Sequence, residues 1–306
     1  MKKNLTKKLM LSVLTLAFAV VSLGASTFAW FTLSKDAQIN QFEMSVKGGS
    51  GLEMRVAKLD GSNASAWYTS ELPVSVIQQY ANPGEKLDAV TATLDGDKKV
   101  VSLKKLDGTA VKPAYETGGT YVGFKVQFKL SDAADTTSYD LYLNEYVLAT
   151  KDTSVDWTSN IAYKGALGDY AAGDVKQYYV SDAARLAITT ADAQYIYEST
   201  DNTGHAEYTT GQPNADNAAV NYYNAITSGE ENDLDAADAP QYATASLTAA
   251  QKLGAVGQCP DSQDYAFEIT VYVWIEGWDG ECINAIFAQT LQTQLSFQLP
   301  QAGEIE

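Results

Sequence analysis

The chain has 306 residues and carries 38 acidic against 21 basic side chains, which gives a formal net charge of −17. This excess of acid argues against nucleic acid as a partner and against docking on anionic lipid, because both reward clustered Lys and Arg. The length is enough for one large domain, or two domains, with a substantial buried core.

The first feature along the chain is an uncharged, mostly apolar stretch over residues 9–34. Four lysines lie within the eight residues before it, and the small residues Gly24-Ala25-Ser26 follow its densest part. This arrangement is typical of a secretory signal peptide, so we predict a signal helix in residues 1–29 and an exported protein. A permanent membrane anchor is the alternative, since about 20 apolar residues span a bilayer. The lysines disfavour a buried core helix, and both remaining interpretations place the rest of the chain outside the cell.

Cleavage by a dedicated signal peptidase is predicted after Ala29, which makes Trp30 the new amino terminus; cleavage after Ser26 is the alternative. The removed segment holds four lysines and no acid, so 17 basic residues remain against 38 acidic ones and the net charge becomes −21. We therefore expect contact with the membrane only through the amino-terminal segment before cleavage. The acidic remainder favours a soluble protein located outside the cell or on its surface.

The residues around the predicted cleavage site resemble those of a known family. Phe28-Ala29-Trp30-Phe31, followed by Ser34-Lys35-Asp36-Ala37, is similar to the export junction of the TasA and camelysin family of secreted bacterial proteins. The later segment Val273-Trp274-Ile275-Glu276-Gly277-Trp278-Asp279 is similar to part of related surface proteins. The resemblance implies a structural, non-enzymatic protein that assembles with copies of itself into cell-surface or biofilm-matrix fibres. It also implies that an extended amino-terminal segment adds as a strand to the next subunit.

Residues 30–46 would be this donor strand. Backbone pairing would provide its affinity and alternating side chains its register. The apolar side chains that could anchor it in a neighbour are Phe31, Leu33, Ile39, Phe42, Met44 and Val46. The last three alternate with polar residues, which predicts a half-buried strand. The same pattern suits the first strand of the chain's own domain, and that alternative stays open.

Residues 47–306 are predicted to form an all-β domain, an antiparallel, jelly-roll-like β-sandwich with long loop insertions. The clearest strand covers residues 121–130, where apolar and polar side chains alternate, and residues 141–149 are expected to pair with it. The other main strand predictions are residues 52–57, 185–190, 195–197, 265–276 and 291–299. Residues 282–288 are predicted to form one or two helical turns. Three Leu-Asp-Gly triplets between residues 59 and 108 favour a meander of short strands without helices.

A loop-rich insertion is predicted at about residues 151–258, which carry 15 acidic against five basic side chains. A short helix near residues 248–253 is expected within it. Its acidic run, residues 230–238, is interpreted as a solvated loop. Calcium binding is the alternative, because carboxylates are suitable ligands, but no segment has the ligand spacing of a calcium loop. We therefore expect no cofactor.

Cys259 and Cys282 are the two cysteines. In an exported protein such a pair predicts a disulfide, which here would close a loop of 24 residues. The chain-entropy model gives such a bond about 3 kcal/mol of stability. Two free, buried thiols are the alternative.

One cluster of residue types has the chemistry of a sugar site. Trp274, Glu276, Trp278 and Asp279 combine carboxylates with tryptophans, as a glycosidase or a sugar-binding face would. The preferred interpretation is a strand end with core tryptophans and an acidic turn, with Arg185 as a candidate ion-pair partner of Glu276. The sequence has neither a two-histidine zinc motif nor a nucleophile elbow, so no enzymatic activity is predicted. The functional alternative to a fibre protein is a monomeric surface adhesin or glycan-binding module that uses the tyrosine-rich residues 163–242.

Overall fold

A computed structural model describes residues 37–47, 51–82, 87–132, 135, 137–151, 156–165, 168–201, 221–222, 225 and 239–299. The predicted signal segment, its cleavage site at Ala29 and Trp30, and the proposed anchors Phe31 and Leu33 lie outside these residues. So does the acidic run at residues 230–238. Among the described residues, no helix is both long and apolar enough to cross a bilayer.

The described part of the chain is mostly β, which confirms the predicted class in its coarse form. The strands are β1 (Gln38–Lys47), β2 (Leu52–Ala57), β3 (Ala89–Leu94), β4 (Val100–Lys104), β5 (Val122–Leu130), β6 (Tyr139–Thr150), β7 (Asp156–Thr158), β8 (Tyr163–Gly165), β9 (Gly168–Tyr170), β10 (Val175–Gln177), β11 (Ala184–Thr189), β12 (Gln194–Tyr197), β13 (Gln251–Val256), β14 (Phe267–Glu276) and β15 (Thr290–Gln298). The helices are α1 (Val74–Ala81), α2 (Val180–Ala183) and a 3₁₀ helix (Asn284–Ala288), which confirms the turns predicted at residues 282–288.

Most of these strands belong to two sheets. The small sheet has the order β1-β15-β6-β13, and the large sheet has the order β12-β11-β14-β3-β4, with β5 joining β14 to β2. Strand β14 lies at the centre of the large sheet, antiparallel to β11 on one edge and to β5 on the other. Large apolar side chains on both faces of β14 explain this position, because a central strand covered on both sides has no wet face.

Aromatic rings join the two sheets. Phe42 of β1 meets Phe124 of β5 with 5.3 Å between ring centres, and Phe128 of β5 meets Phe297 of β15 at 5.1 Å. Both pairs are edge-to-face, a favoured arrangement of aromatic rings. Alternation along β5 places both of its phenylalanines on one face, so this strand supplies the side of the core that the small sheet covers.

The outer face of the large sheet carries a second, smaller core. The β3–β4 hairpin covers this face, and its Val90 and Val100 are buried in the same cluster as Tyr121, Tyr272 and Trp274. The sequence predicted one wet face for residues 121–130, but Tyr121 on that face is buried, because it packs in the same cluster as the hairpin residues. For β14, large apolar groups on both faces are consistent with its central position.

Helix α1 contradicts the prediction of a meander without helices. Ile77 and Ala81 are four residues apart and both are buried, which is the spacing of one helix face. The helix follows Pro73 and ends at Asn82, whose left-handed φ of 45° terminates it. It packs on β1, β2 and β5.

Two predictions about the small sheet are also wrong. Residues 141–149 lie in β6, which pairs with β13 and β15 and not with β5. The edges of β5 are already occupied by β2 and β14. The short helix expected near residues 248–253 is replaced by β13, because the open edge of β6 provides backbone partners for this segment.

Candidate functional site

Strand β1, the described part of the proposed donor segment, lies at an edge of the small sheet. It pairs in parallel with β15, so the first described strand of the chain lies beside the last. Ile39, Phe42 and Met44 are each at most 1% exposed. Val46 lies within the same strand, with its backbone opposite Phe297. In the single chain, Ile39, Phe42 and Met44 therefore fill the core of their own domain.

A bulge in β1 brings these anchors onto one face. Ile39 lies opposite Leu291, and Gln41 lies opposite Gln292, so Asn40 is an extra residue in the ladder. Ile39 and Phe42 are three positions apart and would point to opposite faces of a regular strand. The extra residue corrects this phase difference, as a β-bulge does, and both side chains reach the core.

The outer edge of β1 is only partly covered. The Leu87 amide donates to the Ala37 carbonyl at 2.9 Å, and the Leu72 amide donates to the Met44 carbonyl at 3.1 Å. Between these two points, β1 pairs with no second strand within the described residues. The strand is thus held chiefly by β15 and by its buried side chains.

A second candidate site is a buried charge cluster where β11 meets the end of β14. Its centre is Arg185, which is 1% exposed. The guanidinium contacts the Asp279 carboxylate, lies 3.4 Å from Glu198 Oε1, and donates to the Ala184 carbonyl at 3.0 Å and the Asp182 carbonyl at 3.2 Å. Arg185 therefore pairs with Asp279 and Glu198, and not directly with Glu276 as predicted from the sequence.

Glu276 is fully buried beside this cluster. One of its oxygens accepts a hydrogen bond from the Tyr242 hydroxyl at 2.8 Å and another from Trp274 Nε1 at 3.1 Å. The other oxygen accepts from the Trp278 amide at 3.2 Å. These bonds fix the turn after β14 and attach the segment around Tyr242 to the large sheet.

Burial controls the protonation of the cluster. Burial, and next the charge of Asp279, raises the pKa of Asp182 to about 8, and burial also raises the pKa of Glu276. Burial disfavours the charge on Arg185, but Asp279 and the other acidic neighbours outweigh it and hold the Arg185 pKa well above its ordinary value. The cluster therefore contains a permanent cation among carboxyl groups, of which Asp182 is mostly protonated at neutral pH.

This geometry gives the four proposed glycan-binding residues a structural role. Trp274, Glu276, Trp278 and Asp279 are all at most 3% exposed, so they present no sugar-binding face at the surface. Their contacts match the interpretation of a strand end with core tryptophans and an acidic turn. Sequence reasoning missed their partners Asp182, Glu198 and Tyr242, because these come from separate segments that no spacing or periodicity connects.

The predicted disulfide is not present. Cys259 and Cys282 are both free; Cys259 is exposed and Cys282 is buried. Burial raises the pKa of the Cys282 thiol well above its ordinary value, which suppresses the reactive thiolate. The sequence favoured a bond from the presence of a pair alone, but one thiol lies on the surface and the other inside the core.

Six of the eight described tyrosines of the predicted sugar-binding region lie inside the protein, and Tyr179 and Tyr195 are half-buried. Tyr163, Tyr170, Tyr178 and Tyr222 are buried, and their rings pack in edge-to-face contacts with each other or with Trp157. These rings stabilise the part of the chain that contains β7 to β10. They are not exposed as stacking platforms for a ligand.

Within the described ranges, no group of three or more Cys, His, Asp or Glu side chains is positioned to hold a metal ion. Comparisons of the chain with protein-family models, with curated protein sequences and with solved structures each found no match.

Proposed function

We propose that this chain is an exported structural protein that assembles into cell-surface or matrix fibres, in which each subunit receives its first strand from a neighbour. The signal-like amino terminus and the resemblance to the TasA and camelysin family support export and assembly. The observation that carries the proposal is the position of β1. It is an edge strand with three fully buried side chains, and it pairs with β15, the last described strand of the chain.

The proposed subunit is a jelly-roll-like β-sandwich made of the small and large sheets. The ring pairs Phe42–Phe124 and Phe128–Phe297 support this architecture, because each pair connects one sheet to the other. In such a sandwich, β1 covers part of the large sheet. A subunit without β1 would expose that surface to water.

The stability of the folded subunit requires that a strand occupies the position of β1 beside β15. Burying one large apolar side chain contributes about 1.5–3 kcal/mol, so Ile39, Phe42 and Met44 together contribute on the order of 6 kcal/mol. This is comparable to the whole net stability of a typical domain, about 5–15 kcal/mol. A subunit that donates its β1 must therefore receive an equivalent strand, and the exchange links subunits into a chain.

The sequence after β1 suits such an exchange. Gly48-Gly49-Ser50-Gly51 separates β1 from β2, and glycine accepts backbone conformations that other residues avoid. A strand delivered by a neighbour makes the same pairs with β15 as the chain's own strand, because the two are chemically identical. This is the geometry of domain swapping, and passing the strand along in one direction builds a filament instead of a closed dimer.

The register of β1 on β15 provides a direct test. Glu43 lies opposite Gln294, and both side chains are half-buried. We would prepare Glu43→Cys and Gln294→Cys as separate proteins, each with Cys259→Ser, then mix them under assembly conditions and oxidise. If β1 of one subunit pairs with β15 of another, a disulfide-linked dimer containing one copy of each variant will form, as measured by non-reducing electrophoresis and mass spectrometry.

The matched control replaces Gln294→Cys with Asp169→Cys, at an exposed position of β9, and should give little mixed dimer. A single chain that carries both Glu43→Cys and Gln294→Cys should form the bond internally when it is kept monomeric. If filaments form while mixed dimers remain at the control level, the assembly does not use strand exchange. If no filaments form under any condition, the proposed function fails.

A further inference from the structure

Strand β1 is held on both of its edges. On one edge it pairs with β15, and on the other it meets a segment that begins at Glu71. Glu71 lies opposite Ser45 in an antiparallel pair, and the Leu72 amide donates to the Met44 carbonyl at 3.1 Å. Strand β1 therefore cannot leave its place beside β15 until these outer contacts also break.

Helix α1 continues this segment and packs beside the strand. Its buried residues Ile77 and Ala81, together with Leu72 before the helix, belong to the same core cluster as Phe42 of β1. The helix also packs on β2 and β5. We call residues 71–82 the latch, because they hold the outer edge of β1 near its carboxyl end and then continue into the core.

The far end of the latch is fixed to parts of the protein other than β1. The Tyr80 hydroxyl donates to the Ala64 carbonyl at 3.0 Å, and Asn82 Nδ2 donates to the Ala114 carbonyl at 3.1 Å. Ala64 pairs with Ala57 at the end of β2, and Ala114 precedes β5. These two hydrogen bonds can therefore be removed without changing any group of β1.

Helix α1 has little stability of its own. It has eight residues, its N-cap residue Pro73 makes no side-chain capping bond, and it has neither an acidic residue in its first turn nor a basic one in its last. A helix this short is unstable in water unless tertiary packing supports it. Caps and terminal charges would have added to its stability. The latch therefore depends on its packing and on the bonds of Tyr80 and Asn82.

Opening the latch should cost less than removing the strand. Strand β1 pairs with β15 from Gln38 to Lys47 and buries Ile39, Phe42 and Met44, whereas the latch bonds to the strand at the beginning of the latch alone. Proteins open locally in the order of such costs, and weakly held segments open first. We therefore expect the latch to separate before the strand does.

We propose that the latch controls the release of β1, so that residues 71–82 separate from the strand before it exchanges with another subunit. With the latch open, the outer edge of β1 is still held at its start, by the Leu87 amide on the Ala37 carbonyl, but no longer near its carboxyl end. The consequence for assembly rests on the proposed strand exchange, whereas the order of opening is a property of the single chain.

Hydrogen exchange of the monomeric protein, followed by mass spectrometry, tests the order of opening. Tyr80→Phe keeps the ring and removes the hydroxyl. Asn82→Gly removes the side-chain amide and keeps the left-handed backbone that ends α1. Each variant should raise the exchange rate of the β1 amides by about fivefold, the effect of one lost hydrogen bond on an opening equilibrium.

Tyr195→Phe is the matched control. It also removes a hydroxyl that donates to a backbone carbonyl, that of Lys252 at 3.3 Å, but it lies on β12 and should leave the exchange of the β1 amides unchanged. Unchanged exchange in both Tyr80→Phe and Asn82→Gly would overturn the proposal, because β1 would then open without the latch. An equal rise in Tyr195→Phe would also overturn it, because β1 would then open only when the whole domain unfolds.

A disulfide between the latch and β1 tests the consequence for assembly. Ser45 and Glu71 are directly opposed, and the Cα atoms of such antiparallel pairs are about 4.5–5.5 Å apart, which a disulfide spans. Ser45→Cys with Glu71→Cys, in a Cys259→Ser background, should form filaments when reduced and none when oxidised, as measured by electron microscopy. The control, Thr158→Cys with Val175→Cys, links an exposed pair of β7 and β10 and should assemble in both states.

Filaments that form equally well from the oxidised and the reduced latch variant would overturn the proposal, even if subunits exchange strands. The absence of filaments from every protein, including the wild type, would instead overturn the proposed function. Hydrogen exchange would then still decide whether the latch opens before β1, because it is measured on the monomer.

Discussion

Arg185 is a buried charge whose position is fixed by several partners. It is buried with Asp279 and Glu198, and its guanidinium also binds two backbone carbonyls. A buried ion pair contributes little net stability relative to a well-packed apolar pair, but removing one partner leaves an uncompensated charge in the interior. The cluster therefore makes the end of β14 sensitive to single substitutions.

Arg185→Met should destabilise the protein by about 3–5 kcal/mol, because it leaves Asp279 buried without its cation. The double variant Arg185→Met with Asp279→Leu should recover much of this loss. Urea denaturation of both variants and the wild type measures the difference. The matched control is Lys252→Met, which breaks an exposed ion pair with Asp140 and should cost far less, because solvent screens this pair. A double variant that is less stable than the single one would contradict this account.

Asp182 gives the cluster a defined pH dependence. Its pKa is raised from 3.8 to about 8, so the folded protein keeps a proton that the unfolded chain loses. The stability that this proton contributes is complete below about pH 3.8 and is lost as the pH rises through about 8.

Relative to Asp182→Asn, which cannot titrate, the wild type should therefore lose free energy of unfolding steadily from about pH 4 to pH 8. Urea midpoints of both proteins across this range measure the slope. Asp169→Asn, at an exposed site, should track the wild type at every pH. Parallel curves for the wild type and Asp182→Asn would show that Asp182 is not held protonated.

At the scale of elements, β1 combines backbone pairing along one edge with close packing of its side chains in the core. Phe42→Ala should cost about 3–5 kcal/mol, because it leaves a cavity against Phe124 in the core between the sheets. Thermal or urea unfolding of the monomeric protein measures this cost. Val101→Ala on β4, where the valine is 51% exposed, should change stability by no more than about 0.5 kcal/mol. A similar small effect at Phe42 would mean that β1 does not pack in the isolated chain.

The sequence predicted strands better than their partners. Alternation identified β2, β5 and β14 nearly to the residue, because it reports which face of a strand is buried. It does not report which strand lies alongside, so the partners of β6 were missed. The bulge at Asn40 is set by the pairing of β1 with β15 and has no signal of its own. Helix α1 was missed because its apolar run is short and lies between segments rich in turns.

The candidate sites follow the same rule. The sequence placed Trp274, Glu276, Trp278 and Asp279 near one another because they are close along the chain. It did not indicate that the β3–β4 hairpin and the segment around Tyr242 would cover them. Tyr121, which directly precedes β5, and Tyr272 of β14 have their ring centres 6.1 Å apart, and they meet only after these two strands pair. Which of these side chains meet depends on how the strands pair, and the sequence pattern does not report that pairing.

At the scale of the whole molecule, acidic side chains outnumber basic ones, and many of the basic ones are already paired. The chain as a whole carries a net charge of −17. Several of its described cations are already paired, including Arg55 with Asp264, Lys125 with Glu268 and Lys129 with Glu53. The surplus carboxylates therefore set the field at the surface. Association between copies must overcome this repulsion, which salt weakens.

The parallel pairing of β1 with β15 has a consequence for the timing of folding. A ribosome makes residues 38–47 long before residues 290–298, so β1 has no intramolecular partner until β15 has also been made. Contacts this distant along the chain form slowly, because a large loop must close before they bring any gain. A nascent chain would thus stay incompletely folded until β15 has been made. The free edge of β15 could then pair with β1 of the same chain or with β1 of another copy, depending on which reaches it first.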